Sequence, residues 1–583
     1  MRHRKVSSAW GGQTLQNAFS FEVEKILCVR AFKYVGTCFG VWIEETRLTS
    51  RREFVAGASL AALGAAVRCA APLRLPAQSA GSPATAISGI VLNTPSGRLR
   101  GVFINGVRIF LGIPFAQPPV GNLRFRPPVP GRPWKGVRDA GHFAPSAMQS
   151  GTWIHSVHSE DCLYLNIWAP SAPGPHPVLV WVHGGGYNGG TAALSFSDGA
   201  GFADAGIVCI SVAYRLGVFG FLDMEPLLGP EYAGSGCNAL RDLMAAFTWV
   251  QENVAAFGGD PGRVTIGGES AGAKLTDTLM AIPSARPLFH QMISESGGVD
   301  RVWSKPQADE VAEGFLAQWR QGLAVDATGG ATTPARIRRD FTAASVLTAP
   351  ASDLVAVQRI FLRQWPRHFP LRPEVDGVLL REMPQPAIRA GSSRGKHLLI
   401  GTNREESALF VGPHPEHDPS PINLGNMTER EFMPVFEQYR RIYPEMPPDR
   451  LRIRALTAEE YWVPSVRVAD AAVKGGVTTW MYLLDFTQTQ GRLKGYAFHS
   501  LDLPLVFDKA NPLAGNVAAE AQLATQVHAA WVSFIHGKAP AGPGLPKWSK
   551  YKAGSRPTMI LNVDSRVEKK PQDAELQLWK GLL

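Results

Sequence analysis

Ser270 stands between Gly268 and Gly272 in Val264-Thr265-Ile266-Gly267-Gly268-Glu269-Ser270-Ala271-Gly272-Ala273, a Gly-x-Ser-x-Gly pattern. Val264 to Ile266 reads as the end of a buried strand, and Ala273, Leu275 and Leu279 continue at helical spacing. In that setting the serine occupies a cramped strand-to-helix turn that exposes its Oγ, with a helix N-terminus beneath it to favour developing negative charge. The chemistry to expect is acyl transfer. It needs a base for the serine proton, an acid to orient the base, and donors for an oxyanion.

The donors are suggested by His183-Gly184-Gly185-Gly186, directly after the apolar run Val178 to Val182. Glycines there let backbone N–H groups approach a substrate closely. The bland reading is a tight turn, or a phosphate-binding loop, but the Lys-Ser/Thr pair such a loop requires does not follow. For the base, His499 lies in a loop after a strand ending near Asp485, whereas His528 lies on, and His536 directly at the end of, a helix expected over 518–535, and neither can easily reach a sheet edge. For the acid, Glu405 and Glu406 follow the strand through Leu398 to Ile400. Serine, acid, histidine is one of the known chain orders for such a triad. Adjacent side chains at a strand end point in different directions. One glutamate therefore faces the histidine, and its neighbour is expected at the surface.

Elements able to position these groups are legible. Asn105-Gly106 joins two alternating segments as a hairpin. Val178–Val182 and Ile207–Ala213 are continuous apolar runs suited to strands buried on both faces. Further strands are expected at 291–294, 397–400 and 479–485, and Ala239 to Val254 has a helical apolar face. Strands alternating with helices predict an α/β protein with a mostly parallel sheet covered on both sides. Residues 303–369 lack buried-strand character and read as an inserted helical cap.

The chain has 583 residues, 45% of them hydrophobic and 19% charged, an ordinary globular profile with a net charge of +10. Residues 1–80 carry eleven Lys/Arg against five Asp/Glu, so six of those ten charges sit there. The remainder is near neutral and has no basic stripe, which argues against nucleic acid. Six scattered cysteines suit neither a disulfide scaffold nor a zinc site. No apolar run reaches the roughly 18–20 residues of a spanning helix. Arg51-Arg52 precede a short Ala/Gly-rich stretch, Ala56 to Val67, which reads as a twin-arginine export signal. Residues 1–48 then read as an extension upstream of the signal, 49–88 as signal and linker, and 89–583 as the catalytic domain. The expected location is periplasmic or secreted.

Taken together, the chain resembles the type-B carboxylesterases, the group of para-nitrobenzyl esterases and cholinesterases, as an exported member of bacterial type. The resemblance rests on Phe110 to Ala116 with Pro118 to Gly121, Ser159 to Asn166, Tyr214 to Gly217, Phe257 to Pro261, the serine motif itself, and Trp531, Phe534, Gly537, Trp548 and Tyr551. It implies an α/β-hydrolase fold, Ser270 as nucleophile, His499 as base, Glu406 as acid, and N–H groups of Gly185, Gly186 and Ala271 as oxyanion donors. Glu269 and Trp153 are the implied pocket residues. Three departures stand out. Glu405-Glu406-Ser407 replaces the usual Asp-Glu-Gly. The cysteine that normally pairs with the Cys162 position is missing, so Cys162 is expected as a free thiol. Lys274 is unusual early in the helix after the serine.

The expected function is hydrolysis of small-molecule carboxylic esters through an acyl-serine, with no metal or organic cofactor and no nucleic-acid partner. Two alternatives stay open: a non-catalytic binding or adhesion module on the same fold, and a hydrolase specialised for an amide, carbamate or natural-product ester.

Overall fold

Alternation within the apolar runs builds the sheet. In the computed structural model, which describes residues 88–150, 157–193, 198–321, 342–412, 425–509 and 517–582, Val178, Val180 and Val182 enter one core while Leu179 and Trp181 enter another. Leu398 and Ile400 oppose Leu399 in the same way, and Met481 and Leu483 oppose Trp480 and Tyr482. Period-two alternation with both sets apolar is what a strand covered on both faces requires.

Thirteen strands of the described residues form one sheet. They are β1 (Ser88–Thr94), β2 (Gly97–Ile104), β3 (Val107–Pro114), β4 (Val137–Asp139), β5 (Tyr164–Pro170), β6 (His176–Val182) and β7 (Val208–Val212). The second half comprises β8 (Gly259–Glu269), β9 (Gln291–Glu295), β10 (His397–Asn403), β11 (Thr478–Leu484), β12 (Pro557–Leu561) and β13 (Arg566–Lys569). The order is β1-β2-β3-β5-β7-β6-β8-β9-β10-β11-β12-β13, with β4 beside β2. From β7 through β12 every pairing is parallel; the hairpin end and β13 are antiparallel, except that β4 runs parallel to β2. The turn between β2 and β3 is the expected Asn105-Gly106, at φ 48° and 83°, the pair of positive angles a tight hairpin needs.

One face carries α1 (Asn238–Asn253) and α2 (Ala271–Leu279). The helices α3 (Lys305–Arg320) and α4 (Ala351–Gln364), in the region expected to be a cap, bury Phe315 and Phe361 in the same core. There too runs a continuous helix of α5 (Pro448–Thr457), a π-turn (Ala458–Trp462) and α6 (Val463–Lys474). The opposite face is covered by α7 (Val517–Ile535) through Leu523, Val527, Trp531 and Phe534. No helix among the described residues is long and apolar enough to cross a membrane.

A buried ion pair, Arg215–Asp242 at 2.7 Å, ties the loop after β7 to α1. Cys162, Cys209 and Cys237 are all free and buried. The parallel strands β6, β8, β9, β10 and β11 end on one edge, and the candidate triad and oxyanion groups follow those ends, as open α/β sheets arrange their sites.

Candidate active site

Ser270 follows β8 and opens α2 at φ 57°, ψ −123°. A non-glycine residue held there stores roughly 1–3 kcal/mol of strain. The turn closes because both flanking positions lack a side chain. A Cβ at Gly268 would lie 2.7 Å from the carbonyl oxygen of Val182, and one at Gly272 would overlap that same oxygen. Thus the end of β6 and the start of α2 touch across two glycines. The Ser270 N–H is anchored on Glu295 O at 2.8 Å. The pattern is not unique in the chain: Gly391-Ser392-Ser393-Arg394-Gly395 also fits. That stretch precedes a strand instead of following one, and both hydroxyls donate to Met280 O. Context, not the five residues, identifies the elbow.

The glycine loop after β6 takes its shape from its own carbonyls. Gly184 O meets His183 Nδ1 at 2.8 Å, and Gly185 O accepts from Asn188 N and Gly189 N. In a trans peptide the N–H points opposite the carbonyl, so the N–H groups of Gly185 and Gly186 face away from those internal bonds. Neither they nor the Ala271 N–H at the start of α2 donate to an acceptor among the described residues. His183 itself is stacked on Tyr214 at 4.6 Å, and burial pushes it down to about 4, so it stays neutral.

His499 comes to this edge from the loop after β11. Its Nδ1 is 2.6 Å from Glu406 Oε2. Glu406 is fully buried, and its Oε1 accepts from Asn403 N at 2.7 Å and Ser296 Oγ at 2.5 Å. The Nε2 of His499 lies 3.0 Å from Glu269 Oε1, which also accepts from Ser500 Oγ at 2.7 Å. No hydrogen bond joins Ser270 Oγ to the imidazole in this resting arrangement; such bonds are often loose without substrate. Two rings flank the histidine: Tyr461 at 4.8 Å and Phe410 at 5.2 Å.

These contacts decide the electrostatics. Burial pushes the Glu269 carboxyl up to about 7, against the pull of His499. Burial alone would lower His499, but Glu269 and Glu406 outweigh it and hold the imidazole above its ordinary value. A base must be neutral to accept a proton, so the acid limb of kcat/KM is expected above pH ~6.5. Glu269→Gln removes one of the two charges that retain the proton, and should move that limb to lower pH. A limb that stays in place in the variant would show that Glu269 does not hold it.

One expectation fails. Glu405 is not at the surface: its side chain is 4% exposed. Its Oε2 accepts from Ala497 N at 2.9 Å, two residues before His499, and Oε1 meets Arg404 and Arg450. The chain after β10 folds beneath the histidine loop, so both glutamates point inward, one to the ring and one to the backbone that carries it. Glu405→Ala should therefore cost about 1–3 kcal/mol of stability and lower kcat, read by denaturation and steady-state kinetics. An unchanged variant would restore the surface reading. Ser407, at the position where the resemblance implies glycine, has φ −68°, so its side chain brings no strain.

His528 and His536 face carbonyls of Val506 and Ala205, far from this constellation in role. Trp153 lies outside the described residues. Ser296, Ser500, Tyr461 and Phe410 were not singled out from sequence. Ser296 follows β9 as Ser270 follows β8, and that position past the next strand end was the available signal.

The model of the Carboxylesterase family matches residues 88–579. The fumonisin B1 esterase of Sphingopyxis macrogoltabida is 35% identical over 473 residues, 77% of this chain and 82% of that protein. The para-nitrobenzyl esterase of Bacillus subtilis is 32% identical over 507 residues, covering 84% and 98%. Among solved structures, a Geobacillus stearothermophilus carboxylesterase superposes with a TM-score of 0.72 at 34% identity, over 84% of this chain and 99% of its own.

Proposed function

The chain belongs to the carboxylesterase family, type B, and is a serine ester hydrolase; from that premise we propose that Ser270, His499 and Glu406 carry the reaction. Ser270 Oγ attacks the ester carbonyl carbon as its proton passes to His499 Nε2, which must leave Glu269 to receive it. The carbonyl oxygen becomes an oxyanion held by the N–H groups of Gly185, Gly186 and Ala271. Collapse breaks the ester C–O bond, and the imidazolium returns its proton to the departing alcohol. Water, deprotonated by the same nitrogen, then attacks the acyl-serine; the acyl C–Oγ bond breaks, the imidazolium returns its proton to Ser270 Oγ, and the free acid leaves. Glu406 fixes the imidazole tautomer and stabilises the imidazolium throughout.

The observation that carries this reading is the 2.6 Å contact of Glu406 with His499 Nδ1, its other oxygen held by Asn403 N and Ser296, beside a strained serine. The test is a fluorophosphonate adduct mapped by mass spectrometry: it should lie on Ser270 at one per chain. An adduct on another serine would remove the assignment. We take Glu269 and Trp153 as residues of the substrate pocket.

We also propose export through the twin-arginine route, on Arg51-Arg52 and the Ala/Gly-rich run behind them. Changing both arginines to lysine keeps the charge and removes the pair the receptor reads. Full export of that variant would defeat the proposal.

A further inference from the structure

Asp502 follows His499 by three residues on the same loop and is 2% exposed. Its Oδ1 accepts from Asn403 Nδ2 at 3.2 Å, and its Oδ2 from Tyr482 OH at 3.0 Å. Asn403 closes β10 and is itself fully buried. The same amide nitrogen donates to Phe498 O at 2.8 Å, one residue before the base. The Asn403 backbone N donates to Glu406 Oε1 at 2.7 Å. One residue is thus fastened to the acid, to the chain entering the base and to the chain leaving it. Tyr482 stands on β11 directly opposite Gly401 of β10, where a Cβ on the glycine would overlap its ring. That close packing holds the phenol, and with it Asp502, at a fixed place.

Hydrogen bonding alone does not call for a charge here. An asparagine would accept from Asn403 through its oxygen and donate through its NH₂ to Tyr482, whose hydroxyl can turn to accept. A buried carboxylate costs more than a neutral amide unless a cation compensates it. Three carboxylates bear on the base: Glu269 from β8 at Nε2, Glu406 after β10 at Nδ1, and Asp502 on its own loop. Glu295, at the end of β9, accepts from Trp531 Nε1 at 2.7 Å, and burial raises its carboxyl well above the usual range, so it is neutral. Tyr461 of the π-turn and Tyr482 of β11 are raised by burial in the same way and stay neutral. Lys274 lies behind the Tyr461 ring and, like Arg301, is paired with Glu460.

Among the described residues no lysine or arginine bonds Glu269, Glu295, Glu406 or Asp502; their partners are His499, hydroxyls, the Trp531 indole, the Asn403 amide and one backbone N–H. The group among them that can turn cationic is His499, and the reaction proposed above makes it so. Burial and Glu406 push the Asp502 carboxyl up to about 6, so its charge is present at neutral pH.

We propose that Asp502 is a positioning residue of the esterase reaction: through Asn403 it fixes the His499 loop against Glu406, and its charge stabilises the imidazolium formed as Ser270 loses its proton. This rests on the reading of Ser270, His499 and Glu406 as the triad.

The full chain carrying Asp502→Asn is assayed on para-nitrophenyl butanoate through the acid limb and onto the plateau. On the plateau His499 starts neutral and the transition state carries the imidazolium, so kcat/KM should fall about tenfold, the equivalent of one pKa unit. The loss should lie in kcat, with KM within about twofold. On the acid limb the resting enzyme already holds the imidazolium, so both states lose the same stabilisation. The limb should therefore move to lower pH and the two profiles should meet there, with the melting temperature no lower than in the wild type. An equal loss at every pH together with a lower melting temperature would mark a structural role and overturn the proposal. So would a profile identical to the wild type. If Asp502→Asn does not fold, Asn403→Ser supplies the second reading. It frees Phe498 O and Asp502 Oδ1 from their shared donor and keeps the backbone N on Glu406. There kcat should fall about three- to tenfold with KM little changed, and an unaltered kcat would overturn the proposal. A wild-type chain inert toward the ester would instead strike the triad reading itself.

Discussion

Ser270→Ala is expected to lower kcat by a factor on the order of 10⁵–10⁶ while leaving the protein folded. The loss is that large because the remaining groups are arranged around an oxygen that is no longer there. Without a nucleophile, His499 has no serine proton to take, and the donors at Gly185, Gly186 and Ala271 meet no covalent tetrahedral species. What survives is the roughly 10³–10⁴-fold acceleration over water that binding and the oxyanion donors supply. His499→Ala should cost about as much, and the double variant little more, because the two act as one unit. His528→Ala is the control: that ring bonds Val506 O, and its loss should leave turnover near wild type. Near-normal hydrolysis of a short-chain nitrophenyl ester by Ser270→Ala would end the assignment.

Glu406→Gln is the second large effect, about 10⁴ in kcat with little change in KM. The amide is nearly isosteric, so the fold should hold. The hydrogen bonds oppose the change, however. Oε1 accepts from Asn403 N and Ser296 Oγ, so the amide oxygen is drawn there and the NH₂ is turned toward His499 Nδ1. A donor at that place requires Nδ1 to be the acceptor, which moves the ring proton to Nε2, the nitrogen that must be free to take the serine proton. Variant crystals should show an intact site, and the rate loss should appear in kcat. If Glu406→Gln kept most of its activity, the orienting acid would have to be sought elsewhere, with Glu405 the nearest carboxylate.

Much of this site could be read before any coordinates, for a physical reason. A strand buried on both faces must be apolar throughout, so the runs ending at Val182 and Ile266 were visible, and with them the two turns that follow. The glycine pattern around Ser270 is forced by contact with Val182 O, a local constraint that leaves a local mark. What escaped notice depends on approach between distant segments. Glu405 was placed outside because strand-end alternation was extended into a loop, where alternation no longer holds. Tyr461 is 38 residues from His499 in sequence, and no spacing rule brings it to the ring. Ser500 sat beside His499 in plain view, but its role depends on Glu269 arriving from β8. Lys274 is an odd residue early in its helix, and only the opposing Glu460, with the carbonyls of Gly297 and Glu460, explains how a lysine is tolerated there.

The π-turn between α5 and α6 carries a consequence for how this protein can vary. Five successive residues there are buried, and three have separate tasks: Glu459 accepts from Asn426 N and Met427 N, Glu460 faces Lys274 and Arg301, and Tyr461 lies on His499. One residue inserted into or removed from an α-helix turns everything beyond it by about 100°. Deleting one residue from Ala458–Trp462 would regularise the helix, yet turn α6 and its buried Val466 and Ala469 away from their core. The segment is constrained in length as strictly as in composition. In a library of single-residue deletions it should be among the emptiest stretches, even at positions where a conservative substitution survives.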